Sequence, residues 1–122
     1  MTDQAQLANA PKLDPIARAA ELRHLLGATR RALLAAVSSQ VALAPGGIDI
    51  DTDLATYGFD SIRFAALARA LKKQYGFDSS FKMFFANRTI RDLSDYLVAS
   101  QPDVASSLVE LLERAAAQQA PQ

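Results

Sequence analysis

The chain has few residues able to do chemistry: one histidine (His24), aspartates at alternate positions (Asp49, Asp51, Asp53), and a serine behind an aspartate in the stretch YGFDSI, residues 57–62. Ser61 stands where a loop turns into the helical run RFAALARALKKQYG. As a nucleophile it would need a base within hydrogen-bond reach, oriented by a third group. His24 lies in a separate helical segment, and the G-x-S-x-G elbow of hydrolases is absent, because Gly58 precedes Ser61 by three and Arg63 follows it by two. Self-sufficient serine catalysis is therefore not expected. As a helix cap Ser61 competes with Asp60, since both are favoured N-cap types and only one residue can fill the position. If Asp60 caps, Ser61 becomes the first helical residue and its hydroxyl points outward. A third use is then open, as the acceptor of a phosphate ester beside the free N–H groups and positive dipole end of the helix. Arg63 is either a partner for such a phosphodiester or a solvated cation paired with Asp60.

The other constellations lead elsewhere. Asp49, Asp51 and Asp53 alternate as in the first half of a calcium loop, with Asp60 at the twelfth position. The sixth position is Leu54 rather than glycine, and the twelfth lacks the bidentate glutamate. These residues read as solvated loop carboxylates that cap short turns, and no metal site is expected. Bases and aromatics interleave from Lys72 to Arg88, through Tyr75, Phe77, Phe81, Lys82, Phe84 and Phe85, in the manner of a single-strand platform. But 13 basic and 13 acidic residues cancel over 122, and the aromatics are needed for a core without tryptophan, so nucleic acid is not an expected partner. The absence of cysteine excludes disulfides, thiolate metal sites and a cysteine nucleophile. No apolar run approaches the ~20 residues needed to span a bilayer. MTDQAQLANAPKLDP lacks a basic n-region and an apolar h-region. No membrane association is expected, and the expected location is cytoplasmic.

Helical periodicity dominates, and no alternating strand pattern appears. Residues 1–13 read as a flexible tail. Asp14 caps and Pro15 opens a leading helical segment over 14–25, with Gly27 as a possible break before a longer helix. Leu26, Leu33, Leu34, Val37 and Val41 mark the buried stripe of that helix, which Pro45, Gly46 and Gly47 stop. Ile48, Ile50 and Leu54 of the following loop tuck under neighbouring helices. The next helix runs from Ser61 to about Tyr75, buries Phe64, Leu67, Ala68 and Leu71, and ends at Gly76 with Lys72 and Lys73 in its last turn. SFKMFFANR makes a short helix across the bundle. Thr89 caps IRDLSDYLVAS, whose buried face is Ile90, Leu93, Tyr96 and Leu97. After Pro102, residues 102–117 form a further amphipathic helix through Val104, Leu108, Leu111, Leu112 and Ala115, serving as a linker, a docking segment, a self-pairing stripe or an extra layer on the bundle. Residues 118–122 read as a tail.

YGFDSI, preceded by IDIDTDLAT and followed by FFANRTIRDLSDYL, resembles the phosphopantetheine-attachment region of acyl carrier proteins, above all the carrier domains of modular polyketide synthases served by separate acyltransferases. The resemblance spans residues 26–99. It implies an all-α fold, a four-helix bundle of three longer helices and a short crossing one, here with flanking helical segments at both ends. It also implies that the chain is not itself an enzyme. Ser61 would accept covalent 4′-phosphopantetheine from coenzyme A through a phosphopantetheinyl transferase that brings its own magnesium. Asp60 carries over as the residue before the attachment serine and Ile62 as the exposed apolar contact after it. Arg63, Arg69, Lys73 and Met83 are the expected partner surface, facing a ketosynthase, an acyltransferase or other synthase domains, and Met83 and Phe84 are expected near the mouth where the arm rests. The chain departs from the family in three places. Asn87, Arg88 and Thr89 replace a His-Pro-Thr run common in synthase carriers, and the helix after Ser61 is basic where free-standing fatty-acid carriers are acidic. Tryptophan, frequent in carriers that recruit β-branching enzymes, is absent. A peptidyl carrier of a nonribosomal synthetase, or an all-α adaptor that is never modified, are the alternatives.

Overall fold

A computed structural model describes residues 14–119. The tail expected at 1–13 and positions 120–122 of the tail expected at 118–122 lie outside the described residues. Helices α1 (Pro15–Val41), α2 (Ser61–Tyr75), α3 (Phe81–Ala86), α4 (Ile90–Ser100) and α5 (Pro102–Gln119) are joined by loops holding 3₁₀ turns at Pro45–Gly47 and Leu54–Tyr57. No strand occurs among the described residues, so the expected all-α bundle with a short crossing helix is what the chain forms.

α1 opens as its sequence dictates. The Asp14 carboxylate accepts the Ala17 N–H at 2.7 Å, and Pro15, which has no N–H to leave unpaired, takes the first helical position. The break expected at Gly27 does not occur, and one helix of 27 residues runs straight through it. An isolated glycine costs a helix only ~1 kcal/mol relative to alanine, and the alanine- and leucine-rich turns on both sides outweigh that. Only Leu33 and Val37 of the expected stripe are fully buried. Ala28, Ala32 and Ala36 share that face and form a low ridge one turn apart, while Leu26, Leu34 and Val41 sit half-buried at its margins. The helix also ends before Pro45. Ala42 adopts a left-handed conformation (φ 58°), and its N–H and that of Leu43 both turn back to the Ser38 carbonyl. Pro45–Gly47 then forms a turn of its own.

The remaining helices follow their caps. Thr89 Oγ1 accepts the Asp92 N–H at 3.1 Å to start α4. Gly76, in the left-handed region (φ 85°), closes α2, with its N–H on the Lys72 carbonyl. The buried face of α4 is Ile90, Leu93, Ser94, Leu97 and Val98, and the expected Tyr96 is exposed. Positions at i, i+3, i+4, i+7 and i+8 define one face, and residue 96 falls outside it.

α5 packs back on the bundle against α1 and α4. Ala105 and Leu108 are fully buried, Val104, Val109 and Leu112 half-buried, and Leu111 is exposed, as is Ala115. The stripe expected from Val104 to Leu112 therefore faces inward along one edge only, and Gln118 and Gln119 belong to the helix rather than to a tail. His24, expected at the surface or in helix packing, is exposed, with Nε2 3.8 Å from the Glu113 carboxylate of α5. If α5 is a structural layer, Leu108→Ala lowers stability by about 2–5 kcal/mol, the cost of a cavity in a packed core. Urea unfolding followed by far-UV circular dichroism measures it, and a loss below ~0.5 kcal/mol would make α5 a mere appendage.

Candidate functional site

The loop between α1 and α2 is tied down from both sides before it delivers Ser61. Ile48 and Leu54 are buried beneath it and Ile50 is half-buried. Asp49 accepts the Thr52 hydroxyl at 2.9 Å, its own N–H donates to the Tyr57 hydroxyl at 2.8 Å, and Asp53 caps the second 3₁₀ turn through the Ala55 N–H at 2.8 Å. Gly58 ends that turn at φ 92°, a conformation that favours glycine. The far side of the loop is clasped to the start of α4. Arg88 Nε donates to Asp53 at 2.6 Å, and Arg91 donates to both oxygens of Asp51 at 2.5 and 3.1 Å. Two backbone bonds complete the clasp, Leu54 N–H to the Arg88 carbonyl at 2.9 Å and Arg91 N–H to the Ile50 carbonyl at 3.0 Å. The three aspartates thus turn to separate partners, and two of them meet arginines rather than only water.

Electrostatics follows the geometry. The forked hydrogen bonds of Arg91 hold the Asp51 carboxyl below its ordinary value of 3.8, and Arg88, helped by the Ala55 amide, does the same for Asp53. Both arginines are pushed up in return, by the same contacts.

At the end of the loop Asp60 is extended (φ −123°, ψ −171°) and takes the N-cap. Its carboxylate accepts the Arg63 N–H at 3.0 Å, and its carbonyl accepts the Phe64 N–H at 2.9 Å. Ser61 is consequently the first residue of α2. Its side chain is exposed, and no hydrogen bond engages its hydroxyl among the described residues. The amides of Ser61 and Ile62 remain the open donors of the first turn. Ile62 is 76% exposed, so its side chain lies at the surface and not in the core. Beneath the site, the Phe64 ring lies 5.2 Å from that of Phe59 and stacks at 5.1 Å on that of Phe84, joining loop, α2 and α3.

Two residues expected on the partner surface sit differently. Met83 is 5% exposed and belongs to the core, as does Phe84, because the inward face of the six-residue α3 is built from those two side chains. The Arg63 guanidinium donates to the Gln40 carbonyl near the end of α1, so it braces α1 against α2 instead of pairing with Asp60. Arg69 and Lys73 are exposed on α2, while Lys72 is paired with Asp78 at 2.8 Å. Neither Arg63 nor the Arg88–Asp53 and Arg91–Asp51 clasp was foreseeable from local spacing, since 23, 35 and 40 residues separate the partners.

This arrangement has no base poised at Ser61, because the only histidine in the chain faces Glu113 across α1 and α5. What it offers is an accessible, unbonded hydroxyl on the first turn of a 15-residue helix, and a phosphodiester fits there: the oxygen is free and two amides stand open beside it.

The clasp makes the loop acid-sensitive. Both carboxylates bind protons less readily in the folded than in the unfolded chain, so their contribution is complete above about pH 4 and is lost as pH falls below it. Asp51→Asn with Asp53→Asn should lower the urea midpoint at neutral pH and flatten its fall below about pH 4. Two parallel curves would show that the clasp carries no such linkage.

Residues 31–97 match the family model described as the phosphopantetheine attachment site. Members of that family carry 4′-phosphopantetheine covalently, are not catalytic themselves, and work with a phosphopantetheinyl transferase and synthase enzymes. No helix among the described residues is long and apolar enough to cross a membrane. The match covers more than half of the 122 residues and runs from the second half of α1 into α4, and the chain belongs to the phosphopantetheine-binding carrier family.

Proposed function

We propose that Ser61 is the residue that receives 4′-phosphopantetheine and that the chain is an acyl carrier of the polyketide type. One observation carries the assignment of the residue: Asp60 takes the cap and leaves the Ser61 hydroxyl exposed and unbonded. Transfer from coenzyme A joins Ser61 Oγ to phosphorus as the pyrophosphate bond breaks, and the hydroxyl proton leaves with the nucleotide bisphosphate or to water. The group supplies a thiol, and so gives a chain without cysteine the means to hold an acyl unit as a thioester. The chain's own residues position that tether. Asp60 fixes the helix start, the open amides of Ser61 and Ile62 face the ester, and Ile62 offers an apolar contact to the loading enzyme. The polyketide assignment rests on the likeness of YGFDSI and FFANRTIRDLSDYL to modular synthase carriers. The cytoplasm, where coenzyme A supplies the group, is the proposed location.

Ketosynthase, acyltransferase or related synthase domains are the proposed partners. No carboxylate occurs between Ile62 and Phe77, and the charges of Arg69 and Lys73 are engaged by no other group among the described residues. Partners with acidic rims suit that face, with binding that weakens as salt rises. Met83 has no part in it.

Intact mass after incubation with coenzyme A, magnesium and a broad-specificity phosphopantetheinyl transferase tests the attachment. The wild-type chain gains one phosphopantetheine and Ser61→Ala gains none; an unmodified wild type, or a modified Ser61→Ala, overturns the assignment. Arg69→Glu with Lys73→Glu should slow turnover by a partner ketosynthase about tenfold at low salt while leaving the circular dichroism unchanged. Equal turnover would take α2 out of the docking surface.

A further inference from the structure

The turn that follows α1 is exposed and apolar, and the Arg63 guanidinium ties its approach to the first turn of α2. From Ala32 to Ile48 the sequence has no charged residue, although about a fifth of the chain is charged, and residues 42–47 of that run all lie at the surface. Leu43 stands in it 43% exposed, between the half-buried Val41 and the buried Ile48. Its backbone is not loose. Ala42 is the one residue with a side chain held in the left-handed region among the described residues, and the Ala42 and Leu43 amides both bond to the Ser38 carbonyl. The Arg63 guanidinium on the Gln40 carbonyl then sets this turn alongside the first turn of α2. Leu43 is thus held out on the turn whose approach Arg63 ties to the first turn of α2, where Ile62 is exposed as well.

Exposed aliphatic groups on a fixed backbone mark an interaction surface more than a folding remnant, and a surface already ordered loses little freedom on binding. Any enzyme that modifies Ser61 must bring its active site over the first turn of α2, next to this turn. We propose that Leu43, together with Ile62, forms an uncharged apolar lip on which the phosphopantetheinyl transferase seats to reach Ser61. This rests on Ser61 being the acceptor. It also divides the surroundings of Ser61 by chemistry: the transferase grips the uncharged turn of α1, and the basic α2 face, with Arg69 and Lys73, is left to other partners. Leu43 and Ile62 carry no charge themselves, so seating on them weakens less with salt than docking on Arg69 and Lys73.

Loading kinetics with a broad-specificity phosphopantetheinyl transferase and coenzyme A tests the lip on the full chain. Leu43→Asp should raise KM for the carrier about tenfold with kcat unchanged, since the contact is made equally in the bound and reacting states. Leu43→Ala should raise it about threefold. Leu111→Asp provides the control, because Leu111 is similarly exposed (46%) but lies on α5. It should load like wild type. Wild-type KM in both Leu43 variants, or an equal rise in Leu111→Asp, would overturn the lip. A wild-type chain that is not loaded at all would instead remove Ser61 as acceptor, and the lip with it, a result distinct from normal loading of both wild type and Leu43→Asp.

Discussion

A single hydrogen bond, from the Arg63 amide to the Asp60 carboxylate, decides what Ser61 is. Serine and aspartate are both good caps, and had the helix begun one residue later, the serine hydroxyl would have been bound to its own backbone. The register is set from below. Phe59 and Phe64 are both buried and their rings touch, so the chain between them has little room to slip. A shift of one residue turns a helix by about 100° and would swing Phe64 away from Phe84. Asp60 is the residue left at the capping position once those two rings are in the core, and Ser61 is the one left outside.

That local arrangement depends on a loop that has little core of its own. Between Ala42 and Asp60 only Ile48, Leu54 and Phe59 are fully buried. Loop backbone needs its polar groups satisfied; most of these bonds close within the loop, two more run to residues 88 and 91, and two arginines there bind the loop's carboxylates. The arginines at 88 and 91 stand on either side of the Thr89 cap, so the residues that start α4 also fix the loop that starts α2. Exposed ion pairs add little stability singly. Two of them on one loop, one of them forked, add geometric definition instead.

Much of this was legible in the sequence because it is local. The caps at Asp14, Thr89 and Gly76 and both ends of α2 follow from residues within a turn of one another. The misreadings are of three physical kinds. Tyr96, Leu111 and Met83 show that an apolar residue on a helix announces a face, whereas burial depends on which neighbour covers it. Phe81 and Phe85 took the outer side of α3, pairing at 5.6 Å between ring centres, and that left Met83 and Phe84 to the core. Arg63, Arg88 and Arg91 show the second kind, for partners distant along the chain have no periodicity to betray them. Gly27 is a third case in miniature, a weak local preference overruled by the turns around it.

Charge neutrality, read from the composition, conceals a division of labour around Ser61. Four aspartates lie between Asp49 and Asp60, and a field from them would oppose any approaching phosphate. The fold removes most of it: Asp51 and Asp53 are matched by Arg91 and Arg88, and Asp60 faces the amide of Arg63. α2 meanwhile bears no carboxylate, so Arg69 and Lys73 keep their charges for the outside. On the proposed reading the two facts serve one end. Internal pairing quiets the acidic loop beside an ester that carries negative charge, and the unpaired bases set a positive sign further along the same helix, on a separate patch. A screened interaction reaches only about 8–10 Å at physiological salt, so it is this local balance, rather than the zero sum over the chain, that a docking partner meets.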